Sequence, residues 1–193
     1  MSATLQPFGL KPVYAPGTHA QARRYDYGIA SGYANNILQY QPVALNSSGQ
    51  IVTVTSASAD FLGSFGGVMY FDSLGIPHEV NQWVGGTTYQ SNTPMWVWVY
   101  DDPTQIFQIQ ADGSVVQSMA GQVNFTAANL ANGSTTVGLS QATAQASSLT
   151  TSGQGQLSIA ELDLSIGNAW GDAYTILRVR MARSQLVANK VAV

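Results

Sequence analysis

The stretch Met95-Trp-Val-Trp-Val-Tyr100 decides the fold class. It holds two valines and three aromatic residues in strict order, the composition of a β-strand. On a pleated strand, Met95, Val97 and Val99 share one face, and Trp96, Trp98 and Tyr100 share the other. Both faces are apolar, so the strand is either central in the body or turns its aromatic face to a partner. Asp101-Asp-Pro103 ends it, because Asp before Pro favours a turn. Residues 106–110 (IFQIQ) read as a second strand, followed by Ala111-Asp-Gly113, whose Asp-Gly pair signals a hairpin.

Working towards the N-terminus, residues 80–84 and 87–90 are short strand candidates broken by Gly85-Gly86, and Asp72-Ser-Leu-Gly75 is a turn. Residues 62–71 (LGSFGGVMYF) form a strand region whose three glycines mark a bulge or close backbone approach. Residues 50–55 (QIVTVT) follow the Asn46-Ser-Ser-Gly49 turn and are β-branched. Towards the C-terminus, residues 126–155 are small, polar and aperiodic, with one short helix expected near 127–131. Residues 157–164 and 173–181 are the last two strands. In the latter, Leu177, Val179 and Met181 face one way, and Ile176, Arg178 and Arg180 the other. No internal repeat or long helical period is present. These short strands predict an all-β body, a barrel or a sandwich.

Residues 1–24 read as an extended arm, since Pro7, Pro12 and Pro16 each remove a backbone donor. The arm carries Phe8, Leu10, Val13 and Tyr14, so it is expected to lie across something: its own body, a sister subunit or another protein. The body then spans 25–193, with 25–115 and 116–193 as possible β subdomains.

The chain has 193 residues, no cysteine and only 9% charged residues, against about 25% in an average soluble domain. Lack of cysteine excludes disulfides and thiolate chemistry. All seven Lys and Arg lie at the ends, at positions 11, 23, 24, 178, 180, 183 and 190, while 26–172 carries the ten acids. Seven split cations make a poor phosphate footprint, so no nucleic-acid partner is expected. The N-terminal residues lack the apolar core of an export signal, and the longest apolar run is too short to span a membrane. Sequons at Asn46, Asn124 and Asn132 fit chance in a chain rich in Asn, Ser and Thr.

Motifs for chemistry are scarce. His19 and His78 are the only histidines, and His78-Glu79 lacks the second histidine of a zinc-protease helix. No metal and no cofactor are expected. Ser64 lies within Gly63-Ser-Phe-Gly66, one residue short of a nucleophile elbow. The acid pairs Asp101/Asp102 and Glu161/Asp163 could serve a glycosidase. Turn formation explains the first pair better, and pairing with Arg178 or Arg180 of the neighbouring strand the second. The chain therefore reads as non-enzymatic. Trp83, Trp96, Trp98 and Trp170 are candidates for core packing, an interface or a carbohydrate platform.

One order of segments carries a resemblance. It runs from Pro7-Phe-Gly-Leu-Lys-Pro-Val-Tyr14 through Ile29-Ala-Ser-Gly-Tyr33, Gln41-Pro-Val43 and Leu62-Gly-Ser-Phe-Gly-Gly-Val68. It continues with Tyr100-Asp-Asp-Pro103, Ile109-Gln-Ala-Asp-Gly113 and Asn168-Ala-Trp-Gly-Asp-Ala-Tyr174. In this order the chain resembles tailed-bacteriophage capsid decoration (cement) proteins and related virion structural proteins. The resemblance implies a β-rich protein made in the host cytoplasm that binds the major capsid protein from outside the virion. It also implies homo-oligomers, a trimer before a dimer, and no enzyme activity; the short apolar runs lead to the expectation of no membrane partner. On this reading Phe8, Leu10, Val13 and Tyr14 insert against a neighbour, Arg23 and Arg24 pair with acids there, and Trp96 and Trp98 belong to the interface. A carbohydrate-binding or host-surface module is the alternative, motivated by Trp96 and Trp98.

Overall fold

A computed structural model describes residues 4–26, 28–57, 59–151 and 153–187. Its strands run β1 (Lys11–Ala15), β2 (Thr18–His19), β3 (Arg23–Tyr25), β4 (Pro42–Leu45), β5 (Ile51–Thr53), β6 (Gly63–Phe71) and β7 (Pro77–Val80). They continue as β8 (Trp96–Tyr100), β9 (Ile106–Gln110), β10 (Gln122–Val123), β11 (Gly133–Ser134), β12 (Leu139–Ser140), β13 (Leu157–Leu162) and β14 (Ile176–Met181). The helical content described is three single 3₁₀ turns of three residues each.

Two six-stranded antiparallel sheets form the body. The first has the order β10-β13-β14-β9-β1-β2. The second has the order β3-β8-β6-β4-β5, with β7 also on β6. Neither closes on itself, so the architecture is sandwich-like, and the barrel alternative falls away.

Alternation fixes what each sheet buries. In the first, Leu177 lies opposite Ile109, Val179 opposite Phe107, and Met181 opposite Leu157. All six are buried in one cluster, each side chain contributing about 1.5–3 kcal/mol on burial. The opposite face carries the row Lys11, Gln108, Arg178 and Glu161. The cluster is covered by Phe125, just after β10, by Leu130 and Ala144 of the polar stretch, and by Val54 and Phe61 from the β5–β6 connection. Phe61 meets Phe125 edge-on, with ring centroids 5.3 Å apart. The second sheet buries Tyr25, Val43, Phe65, Val68, Val97 and Val99 in a separate cluster.

Chain order explains this division. The second sheet is built from residues 23–100 alone, whereas the first combines β1 and β2 with β9 and later strands. The second sheet is thus an insertion between β2 and β9. A division at 115/116 does not separate the sheets, because β9 pairs with β1 and β14.

Two other expectations need correction. Of the three surfaces the N-terminal arm could cover, the described part covers its own body: β1 and β2 extend the first sheet and β3 edges the second. Leu10 is 0% exposed, so it is a core residue and cannot insert into a neighbour. The Asp112-Gly113 pair closes no hairpin between β9 and β10. Its carboxylate instead accepts from the Thr126 hydroxyl at 2.7 Å and the Ala146 amide at 2.8 Å, pinning the polar stretch over the first cluster.

Candidate functional site

The outer face of the second sheet is built by β8. Val97 and Val99 point into the core at 0% exposure, which turns Trp96, Trp98 and Tyr100 outward, each half-buried. The three do not share one environment. The guanidinium of Arg24, from β3, lies 4.9 Å from the Trp96 ring centroid and pairs with Asp26 at 3.3 Å. Trp98 and Tyr100 carry no such cap among the described residues. Beside them β6 bulges at Gly66-Gly67. Without side chains there, the sheet opens into a trough of about 510 Å³ between Trp98 and Tyr100 on one side and Glu79 and Asn81 on the other. A Cβ on Gly66 would lie 3.1 Å from the Tyr100 ring, and one on Gly67 3.0 Å from the Val80 carbonyl oxygen.

A second cleft, of about 340 Å³, lies where the chain passes between the sheets, at residues 15–23 and 101–105. Asp101 is buried there, accepting from the Tyr25 hydroxyl and facing the Arg23 Nε at 3.3 Å. Asp102 accepts from the Thr104 amide and hydroxyl at 2.8 and 2.7 Å, the turn role expected of it. Gln105 borders the cleft fully buried, and neither amide atom has a partner among the described residues.

The third feature is the loop from β13 to β14. Its Asp163 side chain accepts from the Ser165 amide at 3.0 Å and from the Ser165 hydroxyl. Asn168 donates to the carbonyls of Asp163 and Ile176 at 2.7 and 2.9 Å and accepts from the Ile176 amide at 2.9 Å. Arg178 then bonds Asp163 and Glu161, both at 2.9 Å, and the Tyr14 hydroxyl donates to Glu161 at 3.2 Å. Burial opposes the charge on Asp163. The Ser165 hydroxyl and Arg178 outweigh it and hold the carboxyl below its ordinary pKa. The loop so braced presents Leu164 at 78% and Ile166 at full exposure.

The expected interface residues are dispersed over these features. Tyr14 serves the Arg178 cluster, Phe8 is half-buried, and Val13 is exposed beside Leu164 in a shallow cleft. Arg23 and Arg24, expected to meet a neighbour's acids, meet Asp101 and Asp26 of their own chain. Trp83 is buried between Tyr70 and Tyr89, and Trp170 packs half-buried on the first cluster. The Ser64 hydroxyl donates to the Leu10 carbonyl at 2.6 Å in the core, which removes it as a nucleophile. His78 bonds Asp72 at 2.9 Å and stacks on Tyr70. Among the described residues, no three His, Asp or Glu side chains gather as a metal site, and no helix is long and apolar enough to cross a membrane. Sequence reasoning missed Leu164, Ile166 and Gln105. The Asp163-x-Ser165 and Asn168 spacing was the available signal for the loop, because short polar side chains at such intervals bind backbone.

No family model, curated protein or solved structure matches this chain.

Proposed function

We propose that this protein is a virion structural component that binds the outside of an assembled phage capsid and stabilises the shell. The observation that carries this reading is the braced β13–β14 loop, which holds Leu164 and Ile166 in solvent at 78% and 106% exposure. Large apolar side chains carried on a backbone braced before binding make efficient contact anchors, because the backbone ordering entropy need not be lost again. The charges beside the loop, Arg178, Asp163 and Glu161, are already paired with one another, so covering them leaves none of the three without a partner. Several modest contacts of this kind, repeated over the copies of a homo-oligomer, add to a firm grip on a lattice. A trimer suits a local threefold position of the shell. The N-terminal segment has a supporting role within the body, and the contact falls to the loop.

Co-sedimentation with shells of the source phage, stripped of this protein, tests the reading. Saturable binding at a copy number set by capsid symmetry is expected. The double substitution Leu164→Ser, Ile166→Ser should lower affinity at least about tenfold while leaving the far-UV spectrum intact. A folded protein that leaves the shells bare would refute the proposal.

A further inference from the structure

We infer that the trough over the β6 bulge is a binding site for a neutral oligosaccharide, a site that does not depend on the capsid-contact reading. Its two walls are chemically different. Trp98 and Tyr100, two residues apart on β8, leave the backbone about 7 Å apart and line one wall. Such rings stack on the apolar C–H faces of sugar rings, as they do on other flat, weakly polar surfaces. The opposite wall supplies the exposed Glu79 carboxylate and Asn81, whose amide donates one N–H to Gln39 Oε1 at 3.3 Å and keeps a second N–H. An acceptor pair and a donor side by side suit the adjacent hydroxyls of a sugar.

The floor explains why the site is open. Gly66 and Gly67 leave no side chain between the walls, and a Cβ at either would press on Tyr100 or on the Val80 carbonyl. The volume, about 510 Å³, is that of a small-ligand cleft. Electrostatics selects among saccharides. Glu79 has no cationic partner among the described residues. The two arginines of β3 are engaged elsewhere, Arg24 by Trp96 and Asp26 and Arg23 by Asp101. An anionic sugar would meet an uncompensated carboxylate, so a neutral one is favoured. The same engagement shows why Trp98, rather than Trp96, is the platform.

The test is titration of the full chain with cellohexaose, maltohexaose, chitohexaose and mannohexaose, read by tryptophan fluorescence and calorimetry. At least one should bind saturably, and Trp98→Ala should weaken that binding by about tenfold or more. Glu79→Gln and Asn81→Ala, at exposed positions, should each weaken it severalfold with the cooperative melt retained, Asn81→Ala also losing its bond to Gln39. They keep the test decisive if the tryptophan variant folds poorly. Binding by none of the four sugars, or binding indifferent to Glu79 and Asn81, would overturn the inference.

Discussion

Single residues explain much of why the chain adopts this form. Gly9 has φ +78°, and a Cβ there would lie 2.5 Å from the Tyr40 carbonyl oxygen and 2.9 Å from the Ser140 Cβ. Its bare backbone lets the Leu10 amide donate to that same carbonyl at 2.8 Å and drops Leu10 into the core. Gly9→Ala should therefore cost about 2–4 kcal/mol in urea unfolding, and a loss too small to measure would contradict the close approach. Asp163 governs an acid limb. Its carboxyl titrates below the ordinary value, so the unfolded chain takes up the proton first as pH falls. The stabilisation is fully present above the unfolded pKa of about 3.9 and is lost as pH falls through the lower folded value. Asp163→Asn should lower the melting temperature at pH 7, by roughly 2 kcal/mol of stability. It should also narrow the gap to the unsubstituted protein below about pH 4. A constant gap across that range would show that the carboxylate charge is not what matters.

At the scale of elements, alternation made the strands legible. In residues 95–100 and 176–181 the buried set falls at every second position, Val97 and Val99 in one strand and Leu177, Val179 and Met181 in the other, while residues 106–110 bury Ile106, Phe107 and Ile109. Pairing was less legible, because it depends on contacts far apart in sequence. Ala111-Asp-Gly113 has hairpin composition, yet Asp112 is held by Thr126 and Ala146 instead. The prolines of the first residues indicated extended chain correctly, but not that Lys11 and Pro12 would register against Gln108 and Phe107. That register carries a consequence. Removing residues 1–24 strips β1 from β9 and β3 from β8, and takes Leu10 from the core. Exposed strand edges of this kind favour aggregation. The truncated chain should elute as aggregate in size-exclusion chromatography and lack a cooperative melt. A monomeric truncation melting cooperatively would show that β1–β3 are dispensable.

For the whole molecule, the candidate site was half legible. Trp98 could be placed on an outward face from the sequence, but the cap on Trp96 requires knowing that β3 lies beside β8. The trough needs β7, β6 and β8 in one sheet, a relation that local composition does not contain. The same long-range wiring bears on whether the two sheets are separate folding units. Among the described residues two chain crossings join them, at residues 19–23 and 100–106, which alone would permit independence. The interface argues otherwise. Phe61, from the insertion, is 0% exposed within the first sheet's cluster. Gln156 donates to the carbonyls of Ser56 and Ala59 at 3.2 and 2.7 Å, and Gln41 to that of Leu130 at 3.0 Å. Unfolding either sheet would uncover these groups on the other, leaving apolar area and buried polar atoms without partners. Calorimetry should therefore give one transition with equal calorimetric and van't Hoff enthalpies. Phe61→Ala, expected to cost about 3–5 kcal/mol, should lower that transition and begin to split it. Two resolved transitions in the unsubstituted protein would mean that the insertion is a separate domain and that Phe61 is an anchor between domains.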